Sequence, residues 1–359
     1  MLYKKFTLLI VLPAILFLMV GCQGPAQGPT LTPVNYSDVP GWHEDKMIDA
    51  LPAMRKSCQV ILKKQSTTPM ITKADTSGTA HDWQGFCTQL EKHKFPNTSS
   101  LKSFLESHLQ PHLVSAGSSA EGTFTGYYEP ILRGSRTKKG VYQTPLYRLP
   151  GKSVNYKIPR SQIVKGALKG KGLELVWVDD PASAFFIQIQ GSGRVRLDSG
   201  GEMRLGYAGQ NGYPYFAIGK ELLDRGALKK GQVNMHTIRQ WLKEHPKQAE
   251  SVMSKNQSYV FFKETSGPGP IGSHGVPLTP KRSMAVDRQF ISLGSPVWID
   301  AQAPQAGRPR LQRLMMAQDT GGAIKGAVRG DFFWGHGVEA ATAAGLMNSK
   351  GQLYLLLPK

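Results

Sequence analysis

Past Gly117 the chain stops reading as helix, and this change of texture constrains the fold more than any other feature. Before it, apolar residues recur at helical spacing. After it, short β-prone runs alternate with glycine and proline to the C-terminus. With 39 Gly and 24 Pro in 359 residues, long helices are interrupted and turns are abundant, which favours a loop-rich, mainly β fold. The expected strands cover residues 123–128, 141–142, 145–147, 173–178, 185–190, 194–197, 259–262, 296–299, 314–317 and 353–356. Residues 185–197, with Gly191-Ser192-Gly193 at their centre, read as a hairpin. Short helices are expected over 217–223 and 235–243.

Upstream, residues 43–63 place Met47, Ile48, Leu51, Met54, Cys58, Ile61 and Leu62 close to a 3.6-residue period, with Pro52 breaking or restarting the helix. Trp83, Phe86, Cys87 and Leu90 mark a second helix. Ser103 and Glu106 have capping-box spacing ahead of a third, which carries Phe104, Leu105 and Leu109 on one face. The length allows one large or two ordinary domains.

The N-terminus is not part of the fold. Lys4 and Lys5 precede an apolar stretch from Phe6 to Val20, interrupted by Pro13. It falls short of the roughly 20 apolar residues of a membrane-spanning helix and suits a secretory leader. Its end, Val20-Gly21-Cys22, resembles a bacterial lipobox. That resemblance implies removal of residues 1–21, a lipid thioether on Cys22 and, with Gln23 next, sorting to the outer membrane facing the periplasm. Residues 22–41 then read as a tether. In that oxidising compartment Cys58 and Cys87 are either a disulfide or two buried thiols. No Cys/His cluster has metal-ligand spacing, so no metal is expected. The net charge of +19 suits a polyanionic partner such as wall glycan bearing carboxylates, or lipid headgroups. Nucleic acid is not expected, because no basic run is interleaved with aromatics.

The C-terminal third is richest in chemistry. An apolar run delivers Asp319 into a Gly321-Gly322 turn, and Asp331 stands between Gly330 and Phe332-Phe333-Trp334. An acid beside aromatics loses solvation, which raises its pKa and lets it donate a proton near neutrality. Equally, the aromatics are core and Asp331 caps a turn. Asp319-Thr320-Gly321 is also an aspartic-protease signature, but that chemistry needs two such aspartates and the chain has one such triplet. Gly191-Ser192-Gly193 lacks the Lys-Ser/Thr of a phosphate loop.

Ala285-Val286-Asp287-Arg288, then 317–326 (Ala-Gln-Asp-Thr-Gly-Gly-Ala-Ile-Lys-Gly), then Asp331-Phe332-Phe333-Trp334-Gly335 together resemble the three-aspartate domain of the membrane-bound lytic murein transglycosylase A (MltA) family. Phe124-Thr125-Gly126-Tyr127-Tyr128-Glu129-Pro130, Gln188-Ile189-Gln190-Gly191-Ser192-Gly193, Tyr207-Ala208-Gly209-Gln210-Asn211-Gly212 and Asn256–Phe262 resemble the rest of it. The resemblance implies a double-ψ β-barrel domain (42–129 with 265–359) holding an inserted smaller β-domain (130–264), with a glycan groove between them. It implies exolytic cleavage of the β-1,4 bond from N-acetylmuramic acid to N-acetylglucosamine, without water and without a cofactor, leaving a 1,6-anhydro ring. Asp331 matches the acid/base. Asp319 matches a supporting carboxylate, and Asp287 either another or a turn-holding group. Thr125, Tyr127, Gln190, Ser192, Tyr207 and Lys325 match the groove. Glu129, if it faced inward, would be a second carboxylate and would favour hydrolysis. The expected partners are glycan strands, the membrane through its anchor and other cell-wall enzymes. The rival reading is a non-catalytic wall-binding lipoprotein.

Overall fold

The computed structural model describes residues 29–70 and 78–359; the expected leader, Cys22 and the start of the tether lie outside them. Its strands are β1 (Thr30–Pro33), β2 (Leu109–Ser115), β3 (Gly122–Glu129), β4 (Ile131–Ser135), β5 (Thr144–Tyr147), β6 (Glu174–Val178), β7 (Gly193–Leu197), β8 (Glu202–Gln210), β9 (Val260–Thr265), β10 (Ser283–Val286), β11 (Pro296–Ala301), β12 (Leu311–Asp319), β13 (Arg329–His336) and β14 (Asn348–Pro358). The helices are α1 (Leu51–Ile61), α2 (Ala80–Lys92), α3 (Thr98–His108), the single turn α4 (Arg160–Gln162), α5 (Pro181–Gln190), α6 (Ile218–Asp224), α7 (Met235–Glu244), α8 (Pro246–Met253) and α9 (Val338–Leu346).

Six strands close on themselves in the order β14, β11, β12, β10, β13, β3 and back to β14. Two pairs in this ring are parallel, β10 with β12 and β13 with β3, and the others are antiparallel. A closed barrel with two parallel pairs is the fold the double-ψ resemblance implied. A second, six-stranded sheet runs β5-β6-β4-β7-β8-β9 and is drawn wholly from residues between β3 and β10.

The barrel core is aromatic and aliphatic: Phe124, Met284, Trp298, Met315, Phe332 and Leu355 are all at most 1% exposed. Helices α1 to α3 pack into the same cluster through Met54, Ile61, Trp83, Leu90 and Leu105. Cys58 on α1 and Cys87 on α2 are joined by a disulfide across 29 positions, a loop whose closure stabilises by about 3–4 kcal/mol in the chain-entropy model. Arg282 grips Asp45 with two bonds, 2.6 and 2.9 Å, inside the protein. This buried pair fixes the helical segment to the mouth of β10.

Four local expectations fail, each for a physical reason. Residues 185–190 are not a strand but the end of α5. Asp180 caps that helix by accepting from the Ala182 and Ser183 N–H groups, and Pro181 occupies its first turn. Residues 141–142 are not a strand: Val141 lies in a turn and Tyr142 makes an isolated bridge to Lys139. Helix α3 is capped by Asn97, whose side chain accepts from Ser100 N–H, so Ser103 and Glu106 lie inside it, and Leu109 opens β2 instead of continuing the helix. The expected tether is too long: β1 lies within it, paired with β2, and Val39 is buried.

Candidate active site

Strand alternation builds the site. On β13, Gly330 and Phe332 face the barrel interior; a side chain on Gly330 would collide with Met284 Sδ at 2.5 Å. Asp331 and Phe333 therefore face the other way. The register places Asp331 beside Thr125 of β3 and Ala285 of β10. Phe333, Tyr127, Ala285, Leu278 and Ile324 form a small apolar cluster on this face. The acid stands at the edge of that cluster, partly exposed. Phe332 and Phe333 are core, as one sequence reading had it, but Asp331 caps no turn: it lies within β13 and is half-buried.

Thr125 Oγ1 donates to Asp331 Oδ1 at 2.6 Å and accepts from Arg329 Nη2 at 2.8 Å. Burial pushes the Asp331 carboxyl up to about 6; the Thr125 bond and the Arg329 charge hold it down, and the charge of Asp319 pushes it up. Asp319 ends β12. It accepts from the Ser273 N–H (2.9 Å) and hydroxyl (3.0 Å), from Thr320 N–H (2.9 Å) and from the Tyr127 hydroxyl (3.0 Å). Burial also raises Asp319, and these donors oppose the rise. Asp287 is different. It is 4% exposed and accepts from Gln289 and Gly326 N–H groups at 3.1 and 2.9 Å, so it ties the turn after Lys325 to the end of β10.

Thr125, Tyr127, Asp319 and Asp331 are thus one cluster. Gln190 lies at the end of α5, where its Oε1 accepts from Tyr128 N–H at 2.9 Å and joins the inserted sheet to β3. Ser192 is buried beside it. Tyr207 is half exposed on β8, and Lys325 is exposed on the Gly326 turn. Glu129 does not enter the groove as a free acid. It is 1% exposed, and its two oxygens take Arg194 Nε (2.8 Å) and Arg204 Nη2 (3.0 Å). Gly126 is required for packing, because a side chain there would meet the Trp334 ring and the α9 backbone under 3 Å.

Sequence reasoning passed over Arg329, Ser273 and Tyr215. Arg329 was within reach, since it lies two residues before Asp331 and so on the same face of a strand. Tyr215 comes from the inserted region. Its Cβ lies 3.9 Å from where a side chain on Gly322 would begin, and its phenol is raised by burial and then by the charge of Asp331. Among the described residues no group of His, Cys, Asp and Glu is arranged to hold a metal.

The arrangement has known counterparts. The MltA specific insert domain matches residues 123–263 and the 3D domain residues 282–357. Over 241 residues the chain is 37% identical to membrane-bound lytic murein transglycosylase A of Escherichia coli; the aligned stretch is 65% of each protein. The fold superposes on the membrane-bound lytic murein transglycosylase of Agrobacterium tumefaciens with a TM-score of 0.81 at 32% identity, covering 92% of this chain and 98% of the other. It also superposes on E. coli MltA with bound chitohexaose, with a TM-score of 0.70 at 28% identity over 92% and 91% of the chains. The chain belongs to the membrane-bound lytic murein transglycosylase A family.

Proposed function

We propose that the protein is a peptidoglycan lytic transglycosylase in which Asp331 serves first as acid and then as base. Protonated Asp331 donates to the oxygen linking N-acetylmuramic acid C1 to N-acetylglucosamine C4. The C1–O bond breaks and the glucosamine leaves as the alcohol. The muramic C6 hydroxyl attacks C1 and gives its proton to the Asp331 carboxylate, which restores the acid. No water enters, so one carboxyl group suffices, and holding the C6 hydroxyl close to C1 supplies much of the rate. Asp319 lies near enough to favour positive charge at C1, and Tyr127 and Ser273 hold it there.

One observation carries this reading. Asp331 is a partly exposed acid on an apolar floor, raised to about 6, with the Thr125 hydroxyl as its direct partner. The second acid of the groove phrase, Glu129, is taken up by two arginines and is not free to activate water. A relative solved with bound chitohexaose supports a glycan as the substrate class. We assign Tyr207 and Lys325 to glycan contact, and Gln190 and Ser192 to the wall that holds the inserted domain (130–264) against the barrel domain (42–129 with 265–359). Removal of the leader and lipidation of Cys22 would hold the enzyme on the periplasmic face of the outer membrane.

Mass spectrometry of sacculi digested by the leaderless protein tests the reaction, with Asp331→Asn alongside. Anhydro-muropeptides, about 18 Da lighter than hydrolytic products, are expected from wild type alone. Ordinary reducing ends would make it a hydrolase. Sacculi left uncut that nonetheless pull the protein down would make it a binder.

A further inference from the structure

A cavity of about 880 Å3 opens within the inserted region, away from Asp331, between edge strand β5 and helices α5, α7 and α8. Arg160 forms part of its wall and is 3% exposed. Its Nε donates to Asn256 O at 2.9 Å and its Nη2 to Ser258 O at 2.6 Å. The guanidinium lies 4.7 Å from the Phe185 ring centre and 5.2 Å from that of Tyr259, and Nη1 has no hydrogen-bond partner among the described residues. Gln188, 6% exposed, lines the same wall with its side chain bonded to Tyr259, and its Oε1 is buried with no hydrogen-bond partner among the described residues. A buried amide oxygen left unpaired in a native fold calls for an explanation, and a ligand N–H supplies one.

The charges around the cavity are unequal. Arg160, Arg239 and Lys243 line it against Asp180 and Glu250. Asp180 is already engaged by the Ala182 and Ser183 N–H groups and the Ser183 hydroxyl. That leaves Glu250, which has no ion pair among the described residues, as an acid on this wall suited to an amine. The cavity therefore offers a guanidinium for a carboxylate, an amide oxygen for a peptide N–H and one acid for an ammonium group. Its position adds to this. Helix α5 has ten residues and is about 15 Å long. Gln188 and Phe185 on it line the cavity, while its last residue, Gln190, holds Tyr128 N–H, three positions from Thr125. Helix α5 thus connects the cavity wall to β3, the strand that carries Thr125 beside Asp331.

We propose that this cavity binds the carboxylate-bearing stem peptide of the glycan strand, with Arg160 on a carboxylate and Gln188 Oε1 on a peptide N–H. This rests on the glycan-cleaving reading above. The test uses the leaderless protein with free stem tetrapeptide as probe, the same peptide amidated at its carboxylates, and the variants Gln188→Leu and Lys243→Glu, each checked by its melting curve. Calorimetry should show tetrapeptide binding that weakens at least about tenfold in each variant and on amidation. In parallel, KM for peptide-bearing glycan should rise severalfold in the variants while KM for glycan stripped of peptide stays unchanged. Absence of tetrapeptide binding to wild type, unchanged binding in both variants, or equal KM changes on both glycans would overturn the proposal. Tetrapeptide binding without anhydro product from either glycan would instead overturn the proposed reaction and leave the cavity's role standing.

Discussion

Asp331 and Glu129 belong to one neighbourhood and have opposite fates. Asp331 pairs in register with Thr125, and Glu129 lies four residues further along the same strand, about 13 Å away. Glu129 is buried, and Asp331 is half-buried at the edge of an apolar cluster. Asp331 receives one hydroxyl, with Arg329 held off behind Thr125. Glu129 receives two guanidinium groups directly, from the inserted sheet. Burial without a cation leaves an acid able to hold its proton; burial with two cations makes a strut between two sheets. The partner, one hydroxyl or two guanidinium groups, separates a carboxyl that can hold its proton from one that ties two sheets together.

The sharpest way to break this comparison is to mutate both ends of it. Asp331→Asn should lower turnover of sacculi about 1000-fold or more, because the amide cannot donate and then accept a proton, while the fold is kept. Glu129→Ala should do the reverse. It removes the acid that joins Arg194 and Arg204, whose side chains are 17% and 13% exposed; Arg194 keeps Glu202 and Arg204 keeps the Gly267 carbonyl, so the loss falls towards the low end of the about 3–5 kcal/mol that removing one partner of a buried pair costs. Urea unfolding checks the second expectation and anhydro-muropeptide release the first. If folded Glu129→Ala protein loses turnover as completely as Asp331→Asn, Glu129 belongs to the reacting groups and the strut interpretation falls.

The comparison also marks what a single sequence discloses. Asp319 and Asp331 were legible because each lies in a contiguous phrase with its glycine turn or aromatic neighbours. Helices α1 and α2 were legible because their apolar residues keep one period over three turns. Arg194 and Arg204 were not legible as partners of Glu129, being 65 and 75 positions away, and nothing local announces such a pairing. The segment Phe185–Gln190 misled because a short apolar run fits a buried strand as well as a helix. The deciding residues, Asp180 as cap and Pro181 in the first turn, lay just outside it. Helix α9 was missed because its alanines carry little amphipathic pattern among the glycine turns around it.

A second consequence concerns stability. The Asp331 carboxyl is raised in the folded protein to about 6 from an ordinary 3.8, so ionising it opposes folding. Its contribution is fully favourable below about pH 4 and is lost as pH rises through 6. About 2 pK units correspond to about 3 kcal/mol. Asp331→Asn removes a charge that the site disfavours, so the inactive variant should be more stable than wild type at pH 7.5, by up to about 3 kcal/mol, with the gain gone at pH 4. Urea midpoints at the two pH values measure this. A variant less stable at pH 7.5 would show the carboxylate to be well solvated there, which removes the basis for a neutral-pH acid.

The smallest effect tests how Thr125 sets that acid. Its hydroxyl bond favours the ionised form of Asp331. Thr125→Val keeps the shape and removes the bond, so the pKa of Asp331 should rise and the alkaline fall of kcat/KM should move to higher pH. Turnover on the acid side should drop only about fivefold, the worth of about 1 kcal/mol of hydrogen bond, since the acid remains and loses one orienting contact. The pH profile discriminates because a merely structural threonine would lower the curve without moving it. The opposite shift carries its own meaning. Arg329 Nη2, having lost its acceptor, would then have swung onto Asp331 and lowered it, and the difference from Glu129 would come down to one hydroxyl that keeps a guanidinium from its carboxylate.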